Sequence, residues 1–352
     1  MKRRQFVSAL AAGLALRHSR ASAQPAELGD QLRDVWSAWR DAHANGSGRV
    51  IDAPQQFASH SEGQSYGLFL AALAGDRRTF DRIETWTRVN LAIRSDALMA
   101  WRWLPDSPVR VPDTNNASDG DLFRAWALLR ASDRFLVPEY RELAATIAAD
   151  LAEHCIAERS DGTPLLLPAA DGFRTAEGFI VNLAYSMPLA LEELAAAFGL
   201  PVLAQAAEGA VRLSAELAEG GVVPDWVEVT ESGLIQPEGF SFDCGYEAMR
   251  VPLFYIWSGL ADHPAVRTFA LAQRAAPENR AATIIERGSG AILETSSEAG
   301  YRSLSALSAC VTENSLGSGM LPFSVEQAYY PATLQVFSMI AQAQGAPRCI
   351  PL

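Results

Sequence analysis

Asp113-Thr114-Asn115-Asn116-Ala117-Ser118-Asp119-Gly120-Asp121 runs straight into Leu122-Phe123-Arg124-Ala125-Trp126-Ala127-Leu128-Leu129-Arg130. The first half is polar and rich in turn formers, and the second is apolar at helix spacing. This is the composition of a helix start, with Ser118 as cap and Asp119 and Asp121 at the positive end of the helix dipole. The same pattern repeats outward from it. Leu32, Val35, Trp36 and Trp39 recur at helix spacing, as do Leu68, Phe69, Ala72 and Leu73. Further helical stretches cover residues 78–93, 118–132, 138–156, 181–198, 201–218, 246–261, 263–275 and 325–343. Gly199-Leu200-Pro201 separates two of them cleanly. Strand signals are short, at 49–52, 163–167 and 222–229. Helix after helix with no interleaved strand argues against a Rossmann sheet or a β/α barrel. The chain reads as one mostly helical domain.

Composition narrows the partners. The chain has 352 residues, 49% hydrophobic and 20% charged, enough to bury a substantial core in one large domain or two smaller ones. Lys+Arg number 29 against Asp+Glu 41, a formal net charge of -12. Such a chain has no general attraction for nucleic acid or anionic lipid, and suits a neutral or cationic partner. Met1-Lys2-Arg3-Arg4-Gln5-Phe6 is a basic head, residues 6–16 are apolar, and Ala21-Ser22-Ala23 has the small residues of a cleavage site. Residues 1–23 therefore read as an export signal, too short to anchor the chain, with a periplasmic or secreted destination. Arg3-Arg4 leaves the Sec and twin-arginine routes both open. Removal of the signal leaves no membrane span. Cys155, Cys244, Cys310 and Cys349 show no regular spacing and are read as buried free thiols.

Carboxylates among aromatic and small polar residues carry the chemical signal. Hydrolysis of a glycosidic bond needs one carboxylic acid to protonate the leaving oxygen and a second carboxylate on the opposite face of the sugar. Ser61-Glu62-Gly63-Gln64-Ser65-Tyr66-Gly67 offers Glu62 at a helix start among small residues. Ser59 and Glu62 also have capping-box spacing, so the structural role competes with the catalytic one. A helix N-terminus favours an ionised carboxylate, so burial must outweigh the dipole if Glu62 is to act as an acid. Asp119, with Asn116 nearby, offers hydrogen bonds to sugar hydroxyls, or simply starts its helix. In Phe242-Asp243-Cys244-Gly245-Tyr246-Glu247-Ala248-Met249-Arg250, Asp243 and Glu247 stand four apart and Arg250 three beyond Glu247. The pair is either a surface ion pair or a carboxylate oriented by Arg250 as a base. Trp101, Trp103 and Trp226 lie in loop-like segments, where an indole can stack on a sugar. Trp36, Trp39, Trp86, Trp126 and Trp257 fall within helical patterns and are assigned to packing.

These segments, in this order, resemble glycoside hydrolase family 8, in particular its branch associated with bacterial cellulose synthesis. Ala117-Ser118-Asp119-Gly120-Asp121 with Ala125, Ala127, Leu128, Ala131 and Phe135 is similar to the family signature, with Arg124 where Ile or Met is usual. Residues 48–52 and 61–67, Pro224-Asp225-Trp226-Val227 and Ala328-Tyr329-Tyr330 are also similar. The resemblance implies an (α/α)6 barrel with a glucan cleft across one end and inversion at the anomeric carbon. It makes Glu62 the proton donor and Asp119 the residue that holds the sugar at the cleavage point. Tyr66, Tyr185, Tyr246 and Arg250 join Asn116 and the three loop tryptophans as candidate substrate contacts.

The base of the resembled branch is an Asp in Tyr-Asp-Ala-x-Arg, where this chain reads Tyr246-Glu247-Ala248-Met249-Arg250. One added methylene displaces a carboxylate by about 1 Å, which can cost roughly 10²-fold in rate. Glu247 as base, Asp243 as its replacement, and weak activity are the open outcomes. The expected substrate is a β-1,4-glucan, with the cellulose synthase export machinery as partner. The alternatives are xylan, chitosan or mixed-linkage glucan as substrate, or a weakly active glucan-binding accessory protein. No cofactor is expected, and His18, His43, His60, His154 and His263 show no metal-ligand spacing.

Overall fold

The computed structural model describes residues 30–350, so the segment read as an export signal lies outside it. Its helices are α1 (Asp30–His43), α2 (Ser61–Ala74), α3 (Arg77–Asn90), α4 (Ser118–Phe135), α5 (Pro138–His154), α6 (Pro188–Phe198), α7 (Pro201–Ala218), α8 (Arg250–Trp257), α9 (Pro264–Gln273), α10 (Ala299–Glu313) and α11 (Tyr329–Gly345). Two kinds alternate. Every residue of α8 is buried, and α2 is buried continuously from Gly63 to Ala72. In contrast, α3 buries one stripe of Thr79, Phe80, Ile83, Glu84 and Thr87, and α5 buries only Ala144, Ile147, Ala148 and Leu151. Helices apolar all round go to the interior, and one-sided helices wrap them.

Packing follows that division. The inner helices run α2 to α4, α4 to α6, α6 to α8 and α8 to α11, and Tyr66 closes the ring on Phe337 of α11 with ring centroids 4.8 Å apart. Outside them, α1 packs on α2 and α11, α3 on α2, α5 on α4, α7 on α6, α9 on α8, and α10 on α9 and α11. The architecture is the expected (α/α)6 barrel, with five inner and six outer helices among the described residues. Its axis is plugged by aromatic side chains. Phe69 stacks on Trp126 at 4.3 Å, Phe123 on Phe337 at 5.8 Å, and Trp257 meets Phe337 at 5.3 Å. Large apolar rings fill the space that a ring of helices leaves along its centre.

The inner helices start at one common end. First-turn or first-residue positions there are Glu62 of α2, Asp119 of α4, Arg250 of α8 and Tyr329 of α11, with Tyr185 just before α6. The starts of α2 and α4 touch. A Cβ on Gly120 would lie 2.5 Å from Ser61 Oγ and 2.8 Å from the Glu62 nitrogen, so only glycine permits the approach.

Short antiparallel strands rim the barrel: β1 (Ser59–His60) with β2 (Arg102–Trp103), β3 (Ile156–Glu158) with β4 (Pro164–Leu166), β5 (Gly178–Val181) with β6 (Val227–Thr230) and β7 (Gly233–Ile235), and β8 (Ala281–Ile285) with β9 (Ile292–Ser296). The expected strand at 49–52 reduces to isolated bridges, Val50 with Ala44 and Asp52 with Ala58.

Several expectations need correction. Residues 181–198 are the end of β5, a 3-10 turn (Leu183–Tyr185) and α6, because Pro188 can only open a helix. Residues 246–249 precede α8 rather than belong to it. The helix α10 has no counterpart in the expectations; its face is lined by serines, and Gly300 lies where a Cβ would meet the Pro331 carbonyl oxygen at 1.8 Å. Neither Ser59 nor Ser118 caps a helix: their hydroxyls donate to the carbonyls of Val50 and Leu167. Cys310 and Cys349 form a disulfide, while Cys155 and Cys244 are free and buried. The packing of α10 along α11 brings together two cysteines that are 39 residues apart in sequence.

Arg124, the departure from the family signature, is fully buried and forms an ion pair with Glu84 of α3 through Nη2 at 2.6 Å and Nε at 3.2 Å. Breaking one side of a buried pair strands the other charge, whereas apolar replacement of both partners does not. Arg124→Met alone should lose about 3–5 kcal/mol in urea unfolding. The double variant with Glu84→Leu should recover most of it, and an equal loss in both would refute the account.

Candidate active site

Arg250 is the centre of the cluster. Its side chain is 1% exposed, and Nη1 donates to Glu62 Oε2 at 2.7 Å, Asp119 Oδ2 at 3.1 Å and the Tyr66 hydroxyl at 2.9 Å. Nη2 donates to Glu247. One guanidinium thus holds three carboxylates. Exposure of those side chains rises from 3% at Asp119 through 20% at Glu62 to 34% at Glu247. Glu247 is the one most open to solvent.

Three acids against one cation leave an excess of negative charge in a poorly hydrated site. A proton bound to one acid relieves it. Burial pushes the Glu62 carboxyl up to about 8, Arg250 opposes the shift, and the charges of Asp119 and Glu247 add to it. Burial raises Asp119 as well. The conflict with the helix dipole is therefore decided for Glu62 by desolvation. The Tyr329 hydroxyl donates to its other oxygen, Oε1, at 3.3 Å.

Not every expected site residue joins the cluster. Asp243 lines a separate recess with Gln236, Phe242 and Arg287. Asn116 is buried with its amide committed: Nδ2 donates to Asp121 at 2.9 Å, and Oδ1 accepts from the Ala170 nitrogen at 2.7 Å. It supports the start of α4 and has no sugar-facing group to offer. Tyr66 is buried beneath Arg250, edge-on to Phe123 and Phe337. Tyr185 lies under the guanidinium, 5.6 Å from Cζ, and against Trp226. Trp226 is half-buried, stacked on Phe173 at 5.8 Å and packed against Phe240. Trp101 stacks on His60 and donates to Asp113 at 2.9 Å. Trp103 meets Trp86 edge-on. Tyr246 is 38% exposed, donates to Glu294 and packs on Tyr301.

Three residues of the site escaped the sequence reading. Asn182 is buried, accepts from the Ala184 nitrogen and donates to Glu247 Oε2 at 3.3 Å. Asp225 Oδ1 accepts from the nitrogens of Gly245 at 2.8 Å and Ala248 at 2.7 Å, which shapes the turn carrying Glu247. Burial pushes its carboxyl up to about 6. Tyr329 is the third. Asp225 and Tyr329 lay inside segments that carry the family resemblance, whereas nothing local marked Asn182. Outside the Arg250 cluster, Asp150, Glu153 and His154 bring their ligand atoms within 4.8 Å of one another at the end of α5. Asp150 there already accepts from the Ala97 nitrogen.

Kinship agrees with the fold. A sequence profile described as glycosyl hydrolases family 8 matches residues 4–344. A probable endoglucanase of Novacetimonas hansenii is 32% identical over 347 residues, which cover 96% of this chain and 98% of that protein. An endoglucanase of Escherichia coli K12 is 34% identical over 239 residues, 65% of this chain and 64% of its own. Among solved structures, the endo-beta-1,4-glucanase CMCax from Acetobacter xylinum superposes with a TM-score of 0.80 at 30% identity, covering 92% of this chain and 99% of that one. A helical barrel with acids gathered at one end, and relatives of this kind, define a glycoside hydrolase. The chain belongs to glycosyl hydrolases family 8.

The raised Glu62 carboxyl has a consequence for stability. An acid whose folded pKa exceeds its unfolded one keeps its proton longer in the native state, so stability falls as pH rises between the two values. For Glu62 that window runs from 4.5 to about 8. Glu62→Gln removes this contribution. Relative to wild type, the variant should gain stability steadily across that window in urea unfolding; a pH-independent difference would show that Glu62 is already ionised at its lower end.

Proposed function

We propose that this chain is an inverting endo-β-1,4-glucanase acting on cellulose, with Glu62 as proton donor, Glu247 as base and Asp119 holding the sugar at the cleavage point. The observation that carries the reading is the cluster itself: Arg250 draws Glu62, Asp119 and Glu247 together at the end of the barrel where the inner helices start. Each role follows from its surroundings. Glu62, kept protonated by burial, gives its proton to the glycosidic oxygen as the bond to the anomeric carbon breaks. A water attacks that carbon from the opposite face, and Glu247, the most solvent-open of the three, takes the water's proton. Solvent then removes the proton from Glu247 and replaces that of Glu62.

Anchors on both sides hold the longer side chain of Glu247. Arg250 and Asn182 both donate to it, and Asp225 holds the turn from which it springs. Asp243 faces another recess, which favours Glu247 as base. Tyr185, Trp226 and Tyr246 offer ring surface near the cluster, and Trp101 and Trp103 extend it past residue 62. Residues 24–352 act, in this reading, as one catalytic domain released by removal of 1–23 into the periplasm or outside the cell. A continuous buried core supports this, and among the described residues no helix is long and apolar enough to cross a membrane. The similarity of residues 48–52 and 61–67 to the cellulose-synthesis branch supports work beside a cellulose synthase export machine.

Glu62→Gln and Glu247→Gln should each lower kcat on cello-oligosaccharides by about 10²–10⁴-fold. Glu62→Gln should keep oligosaccharide affinity by calorimetry. Time-resolved NMR should show the α-anomer first, and wild-type kcat/KM should fall on the alkaline side near pH 8, where Glu62 loses its proton. Initial β-anomer would mean retention and overturn these roles. Greater activity on xylan, lichenan or chitosan than on cellulose would move the substrate within the family.

A further inference from the structure

In a chain of net charge -12, three arginines lie against two tryptophans at the mouth of the barrel, with only the charges of Asp52 and Asp106, beyond ion-pair distance, to offset them. The Arg49 guanidinium lies 4.5 Å from the ring centre of Trp103 and that of Arg110 5.3 Å from it, while Arg102 lies 5.6 Å from the ring of Trp101. None of the three forms an ion pair with a carboxylate of the described residues. Their hydrogen bonding is incomplete as well. Arg49 donates to Ser59 at 2.8 Å and to the Phe57 carbonyl, and Arg110 makes only a long 3.4 Å bond to the Leu104 carbonyl. Arg102 has a buried Nε with no acceptor. A guanidinium carries five N–H donors, so most of these are unclaimed by the protein. Arg49 and Arg110 repel each other, and Asp106 offsets this only in part.

The indole rings account for their placement. A guanidinium that lays its face on an indole keeps its N–H fork at the edge, the geometry that binds a carboxylate or phosphate with two parallel bonds. The cluster is also tied to the catalytic end. Ser59 pairs with Trp103 and His60 with Arg102, and the Ser61 nitrogen donates to the Trp101 carbonyl at 2.9 Å, immediately before Glu62. A polymer lying across Glu62 and continuing over β2 meets these arginines next. An uncharged glucan has no group that requires three cations.

We propose that Arg49, Arg102 and Arg110, framed on Trp101 and Trp103, form a subsite for an oxyanion, a carboxylate or a phosphate, carried as a substituent on the β-1,4-glucan chain. The enzyme thereby favours acidic derivatives of the polymer over the neutral chain, although its overall charge opposes them. At 0.15 M ionic strength the charges elsewhere are screened beyond about 8 Å, whereas contact with these arginines persists.

This rests on the glucanase reading for the polymer backbone, and the test separates the two. Affinity electrophoresis at that ionic strength through gels containing carboxymethylcellulose, cellulose phosphate or hydroxyethylcellulose measures binding without turnover. Wild type should be retarded more by the anionic polymers than by the neutral one. Arg110→Gln, at an exposed position, should reduce the anionic-to-neutral ratio by up to about fivefold, and Arg102→Gln with it should reduce the ratio further. Arg110→Lys should restore the ratio in part, because it keeps the charge but loses the fork. A response to only one of the two anionic polymers identifies the substituent. An unchanged ratio in the double variant, or equal loss on all three gels, overturns the subsite. Failure of wild type to hydrolyse hydroxyethylcellulose would count against the glucanase reading alone, since the binding ratio is read without it.

Discussion

The site depends on a single buried guanidinium. Arg250 at the start of α8 is withdrawn from water, and its position is tenable because carboxylates and a phenol hydroxyl occupy Nη1 and Nη2, though its buried Nε has no acceptor. The dependence is mutual. Glu62, Asp119 and Glu247 come from elements distant in sequence, and like charges this close would push apart without a cation between them. Because the acids outnumber the base, the site keeps a proton, and burial raises the Glu62 carboxyl to about 8.

The barrel makes such a cluster possible. Inner helices that start at one end deliver their first residues to a common point, and the aromatic plug beneath them blocks water from the other side. Helix starts would ordinarily favour ionised carboxylates. Here burial reverses the preference for Glu62. The strands at the rim do a separate job: β2 holds Arg102 and Trp103 beside the start of α2, and the turn shaped by Asp225 presents Glu247 to Arg250.

Much of this was legible in short segments of sequence. The end of α6 and the start of α7 followed from Gly199-Leu200-Pro201, since glycine ends one helix and proline opens the next. Glu62, Asp119, Glu247 and Arg250 stood out because acids and a basic residue lay among small and aromatic neighbours at helix starts. Elsewhere local pattern misled. The serines of α10 hid a helix that is stabilised by contact with α9 and α11, and 181–198 looked continuous although Pro188 interrupts it. Asn182 gave no signal, because its importance lies in a bond to a residue 65 positions away.

The sequence by itself determined the helical class, the place of most helices and the chemical types available, because periodicity and breakers act within a few residues. Only the tertiary structure decided which side chains meet. It paired Cys310 with Cys349, turned Asp243 toward a different recess, buried Asn116, and brought Glu247 rather than Asp243 onto Arg250. Those outcomes depend on distances through space between segments far apart in the chain. Packing of whole helices sets such distances, and no local pattern encodes them.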